Sequence, residues 1–188
     1  METLARSASY MAIAGGGLMA IVILVTTIYP TSPAWVGFFL VPLLLGGAVL
    51  GFQQRTRPST GQLGWVSAWL SAVGALAIVA VFGYSLVSGE GTGSNYSVSS
   101  DPLILLWIVT AGAWFLGNLG YAAALIRAHA LSRLGAWLVL AGTAVALVVT
   151  AVLGQNLPPA AYALFAVFGI GWMVVGYESL RPPIRSAV

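Results

Sequence analysis

The stretch 103–133, LILLWIVTAGAWFLGNLGYAAALIRAHALSR, decides how this chain is built. From Leu103 to Ile126 there is no acidic or basic side chain, and Arg127, His129 and Arg133 then arrive together. A run of this length covers ~30 Å of hydrocarbon as a helix rising ~1.5 Å per residue, so the basic cluster marks where the chain leaves lipid.

Working outward, five more apolar runs of similar length appear at 9–28, 35–53, 64–86, 134–154 and 160–178. The chain has seven basic residues, all of them arginine. Arg6 precedes the first run, Arg55 and Arg57 join the second to the third, Arg127 and Arg133 join the fourth to the fifth, and Arg181 and Arg185 follow the sixth. Six crossings place every arginine on one side, which the positive-inside rule makes cytoplasmic. Glu90 and Asp101 then fall on the opposite side, while Glu2 and Glu178 share the arginine side. A count of five or seven crossings destroys this asymmetry. The expected fold is therefore all-α, a single bundle of six transmembrane helices over residues 1–188 in the cell membrane, with both termini cytoplasmic.

Composition agrees, because 60% hydrophobic and 6% charged residues cannot wet the surface of a soluble domain. A β-barrel fails because no run alternates with period two. The first run is expected to be a retained helix rather than a cleaved signal, since no small-residue cleavage site follows it. The net charge of +3 does not imply nucleic acid, because the arginines form no continuous patch. The expected partner is the bilayer itself, with Arg55, Arg57, Arg127, Arg133, Arg181 and Arg185 meeting lipid headgroups.

Several chemistries lack their residues. There is no cysteine, which removes disulfides, thiolate catalysis and iron–sulfur ligation. His129 is the only histidine and has no second ligand at metal spacing, so it reads as a solvated residue of a connection. Neither a Gly-x-Ser-x-Gly elbow nor a phosphate-binding loop is present, and Gly15-Gly16-Gly17 lies within an apolar run. No catalytic residue, cofactor or metal site is expected.

Polar groups within the runs are few. Asn118, in Gly117-Asn118-Leu119-Gly120, lies in the fourth run and needs a hydrogen bond, which a neighbouring helix can supply. With Trp114 and Tyr121 it forms the candidate contact set for a small ligand. Trp114 and Trp172 fall nearer mid-run, where an indole N–H needs a partner inside the bundle. Glu178 is expected at headgroup level, paired with a nearby arginine.

Small residues at four-residue spacing should form helix seams: Ala12/Gly16/Ala20, Gly47/Gly51, Ser67/Ser71/Ala75 and Gly142/Ala146. Pro42 should kink the second helix. Tyr29, Trp35, Tyr84, Trp107 and Tyr162 suit one interface, and Tyr10, Trp65, Trp69, Trp137 and Tyr177 the other. A faint repeat links Leu63-Gly64-Trp65 with Leu134-Gly135-Ala136-Trp137. The polar loop Ser88–Asp101 carries a sequon, Asn95-Tyr96-Ser97. The function expected from all this is a non-catalytic accessory or scaffold subunit packing against other membrane proteins or its own copies. The alternative is a facilitative channel, or a binder, for a small neutral or apolar molecule.

Overall fold

The computed structural model describes residues 2–29, 37, 39–88, 102–153 and 159–181. The loop with Glu90, Asn95 and Asp101, the prolines Pro30, Pro33 and Pro158, Trp35, Arg185 and the Tyr162 side chain lie outside the described residues. Among the described residues the chain is all-α, in five helices: α1 (Glu2–Ile28), α2 (Leu40–Ser88), α3 (Pro102–Ala128), α4 (Arg133–Leu153) and α5 (Pro159–Leu180). Three of them, α1 to α3, contain stretches long and apolar enough to cross a membrane; α4 and α5 contribute the shorter apolar stretches Arg133–Val149 and Phe165–Leu180.

Six separate helices were expected and five are observed, because the second and third runs are not joined by a loop. Helical backbone continues through Arg55, Arg57 and Pro58 and is interrupted at Gly61, with φ 61° and ψ −151°. That region is open essentially to glycine alone, and a side chain there would meet nothing within 4 Å, so backbone geometry and not space demands glycine. The helix folds back on itself there. Phe39 and Phe82 bring their ring centroids to 5.0 Å, whereas a straight helix would hold them ~65 Å apart. A methyl group at Gly46 would lie 3.1 Å from Ala75 Cβ, so the two arms, 40–60 and 62–88, touch along their length.

Pro42 does not kink α2. It sits in the first turn, where backbone N–H groups have no intrahelical acceptor to lose. The run expected to begin at 35 enters its α-helix only at Leu40.

Counting the arms of α2 separately, the bundle closes in chain order: α1 packs on α2, α2 on α3, α3 on α4, α4 on α5, and α5 returns to α1. Glycine seams bring the backbones together. Gly16 and Gly169 are mutually apposed, a methyl group at Gly169 lying 2.6 Å from Gly16 O. The two hairpins also repeat, in a register one helical turn from that expected. Ala68-Trp69-Leu70-x3-Gly74 matches Ala136-Trp137-Leu138-x3-Gly142, and a methyl group at either glycine would lie 2.5 Å from the backbone nitrogen of Trp114 or of Phe168. One turn along, Gly117 backs onto Ser71 and Gly171 onto Val139.

Turn chemistry joins α3 to α4. His129 adopts a left-handed φ of 50° while its N–H bonds Ile126 O and the Ala130 N–H bonds Leu125 O, a Schellman closure with histidine where glycine is usual. Ser132 then caps α4, its Oγ accepting from Gly135 N at 2.9 Å. His129 is thus a helix terminator as well as an exposed residue.

Candidate functional site

Each of the matched glycines Gly117 and Gly171 is followed by an inward side chain, Asn118 on α3 and Trp172 on α5. Both are essentially inaccessible, at 0% and 1% exposure. Close backbone approach at the glycine turns the next residue toward the bundle interior, which therefore receives a carboxamide from one hairpin and an indole from the other.

Asn118 Nδ2 donates to Ser71 Oγ on the second arm of α2 at 2.9 Å and to Trp114 O at 2.8 Å. The second contact fixes the amide orientation, since a carbonyl oxygen only accepts. Oδ1 is left buried with no protein partner. The interhelical bond expected of Asn118 is therefore made, and half of the amide remains over.

The two interior tryptophans behave differently from expectation. Neither Trp114 Nε1 nor Trp172 Nε1 has a hydrogen-bond partner, although both are buried. Their surroundings are aromatic carbon. Trp114 meets Phe168 edge-on at 5.6 Å and Phe115 at 4.9 Å, while Trp172 is nearly parallel to both Phe52 and Tyr121, with each centroid 6.4 Å away. These distances suit offset and edge-to-face packing but supply no acceptor to an indole.

Tyr121, the third member of the candidate set, is fully buried and bonds toward α2. The single proton of Thr56 is taken by Phe52 O at 3.0 Å, so the Tyr121 hydroxyl donates to Thr56 Oγ1 at 3.1 Å. Thr60 likewise gives its proton to Thr56 O at 3.0 Å and has a longer contact, 3.4 Å, to Gln53 Oε1. Gln53 Nε2 is the fourth buried polar atom without a partner.

Gln53, Thr56 and Thr60 lie outside the candidate set read from the sequence. They flank Arg55 and Arg57 and look like part of a polar connection. Their spacing of three and four is the missed signal: all three are buried, whereas Gln54, Arg55, Arg57, Pro58 and Ser59 are exposed, so this is one face of a continuing helix.

The buried polar side chains among the described residues are hydroxyls and two carboxamides. No group of three metal-ligating side chains occurs among those residues. All six described arginines are exposed and lie at the Gly61 end of the bundle. There, Arg181 Nη2 donates to Tyr177 OH at 3.4 Å with its guanidinium carbon 4.7 Å from the ring centre, while its backbone N–H bonds Glu178 O at 3.2 Å. The bond to Tyr177 raises the guanidinium above its ordinary range. Of the expected interface aromatics, Tyr10, Tyr29, Trp65, Trp69, Tyr84, Trp107, Trp137 and Tyr177 are exposed.

Comparison of the chain with protein-family models, with curated proteins and with solved structures gave no match.

Proposed function

We propose that this chain is an integral protein of the cell membrane that crosses it six times, with both termini cytoplasmic, and that its interior binds a small neutral molecule, to hold it or to pass it across. The observation that carries the binding role is that three of the four buried polar atoms without protein partners among the described residues lie on α3 and α5: Asn118 Oδ1, Trp114 Nε1 and Trp172 Nε1. A bundle that only filled space would gain by replacing such groups with apolar ones, because a buried polar atom left unpaired costs about 1–3 kcal/mol. The matched hairpins aim two of the three into the same interior.

Length supports the crossing count. The apolar stretch Leu40–Tyr84 spans 45 residues, which as a straight helix would measure ~68 Å, about twice the hydrocarbon thickness. Folded at Gly61, each arm fits one crossing. The exposed arginines gathered at that end support its cytoplasmic placement. With no cysteine in the chain, single-cysteine variants test this cleanly. Arg57→Cys should react only with reagent supplied from the cytoplasmic side and Ser94→Cys only from outside; the same sidedness for both would overturn the six-crossing topology.

The second reading is an accessory subunit. Its support is the apolar exterior, where Leu24, Val73, Leu76 and Val148 are each more than half exposed and can meet lipid or another chain. Native mass spectrometry after gentle extraction separates the two. A small molecule retained by the wild type and lost from Asn118→Leu supports the binder, and a reproducible hetero-assembly carrying no small molecule supports the subunit.

A further inference from the structure

We propose that the outer seam between α3 and α4 holds one anionic phospholipid at the Gly61 end of the bundle, its phosphate between Arg127 and Arg133 and an acyl chain running past Trp137. The proposal rests on the chain crossing the bilayer and is independent of what the interior binds.

Three like hairpins make the bundle. The segments Ala68-Trp69-Leu70-x3-Gly74 and Ala136-Trp137-Leu138-x3-Gly142 have a third counterpart on α1, Ser9-Tyr10-Met11-x3-Gly15. Tyr10, Trp69 and Trp137 take the same place in each and are all exposed. A methyl group at Gly15 meets Leu44 as one at Gly74 meets Trp114 and one at Gly142 meets Phe168, so Gly47, Gly117 and Gly171, one turn further along, correspond on the returning helices. Arg57, Arg127 and Arg181 each follow those glycines at the same interval. Arg6 and Arg133 likewise precede Gly15 and Gly142 at one interval, where the α2 copy has Trp65.

The three junctions between hairpins thus gather arginine, but they differ. Between α5 and α1, Arg181 is engaged by Tyr177, and Glu178 lies in the same turn. At the fold of α2, Trp65 stands where a second repeated arginine would be. Between α3 and α4, Arg127 and Arg133 are both exposed, and no acidic residue occurs from 102 to 177. Arg127 lies in the last turn of α3 and Arg133 opens α4. Packed helices stand about 8–10 Å apart, a span two arginine side chains can close onto one phosphate, whose oxygens suit the guanidinium fork.

What lies beneath selects a lipid over a free anion. Trp137, one turn from Arg133 on the same face, is 48% exposed, and Val145 and Val148 continue that apolar face away from the arginines. This seam is also the loosely closed one. Gly117 and Gly120 make their nearest contacts with α2, Gly135 and Gly142 make theirs with α5, and a methyl group at Gly112 meets nothing within 4 Å, so none of these glycines draws α3 onto α4. The other two junctions are drawn together, Gly46 against Ala75 and Gly16 against Gly169.

The test places the full chain in phosphatidylcholine nanodiscs with a minor fraction of phosphatidylglycerol and counts retained phospholipid by native mass spectrometry. The expected result is one phosphatidylglycerol per chain, enriched about tenfold over its share of the disc. Arg127→Gln with Arg133→Gln should abolish the enrichment. Arg55→Gln with Arg57→Gln removes the same charge at the neighbouring turn and should keep it; all four positions are exposed, and the thermal midpoint reports intact folding. Equal loss from the two pairs shows general charge attraction and overturns the site, as does full retention by the Arg127/Arg133 pair. Displacement of the lipid by millimolar inorganic phosphate, or a homodimer carrying no lipid, overturns the lipid assignment. The count is the same whichever way the chain faces, so its failure is distinct from a failure of the cysteine-labelling test of topology.

Discussion

Asn118 and Ser71 tie α3 to the second arm of α2 through a 2.9 Å hydrogen bond made directly beside the point where Gly117 lies against the Ser71 backbone. The contact is short because the glycine lets the helices close, and it is fully buried on both sides. An interhelical bond in a membrane is typically worth about 0.6 kcal/mol and at most about 1.7 kcal/mol. A double-mutant cycle of Asn118→Leu and Ser71→Ala, followed by reversible unfolding in bicelles, should return a coupling energy within that range. Additive losses would show that the bond contributes nothing to holding the helices together.

Gly61 is expected to be indispensable to the fold despite having open space around it. Gly61→Ala places a side chain on a left-handed backbone and should cost about 1–3 kcal/mol. Gly83→Ala is the control, since Gly83 also has nothing within 4 Å but sits in regular helix, where alanine is the better residue. Unfolding measurements in which both variants lost equal stability would place the cost in helix packing and not at the turn.

At the end of α3 the direction reverses. His129 occupies a left-handed position that glycine adopts without steric cost, so His129→Gly should raise stability by roughly 0.5–1 kcal/mol. The readout is the thermal midpoint of the purified protein. A lower midpoint would mean that the imidazole itself holds the α3–α4 connection.

Adjacent glycines on α1 should respond oppositely. A methyl group at Gly16 runs into the Gly169 carbonyl of α5, a backbone atom that cannot swing aside, whereas at Gly17 it meets only the flexible end of Met173 at 3.7 Å. Gly16→Ala should therefore destabilise by about 1–3 kcal/mol, and Gly17→Ala should be neutral or better. Matched unfolding curves of the two variants decide the point.

Much of the helical plan was legible without coordinates. Spans placed at 103–126 and 134–154 fall within a residue or two of α3 and α4, because an apolar run bounded by charge has little freedom in where it begins and ends. The region around Arg55 was not legible in this way. Its polar composition resembles a loop, and only the buried face of Gln53, Thr56 and Thr60 shows that helix continues to the turn at Gly61. Asn118 stood out as a lone amide in an apolar run, but its partner Ser71 belongs to a different helix and no local pattern names it.

The sequence by itself determined the helical class, the apolar exterior and the clustering of arginine between alternate runs, since each follows from local composition read at the helical repeat. Only the tertiary structure decided that the second and third runs form one helix folded at Gly61, that the bundle closes from α5 back to α1, and that Trp114, Trp172 and half of Asn118 face inward without partners. Those outcomes depend on which backbones glycine allows to touch, a relation between distant segments that no single segment encodes.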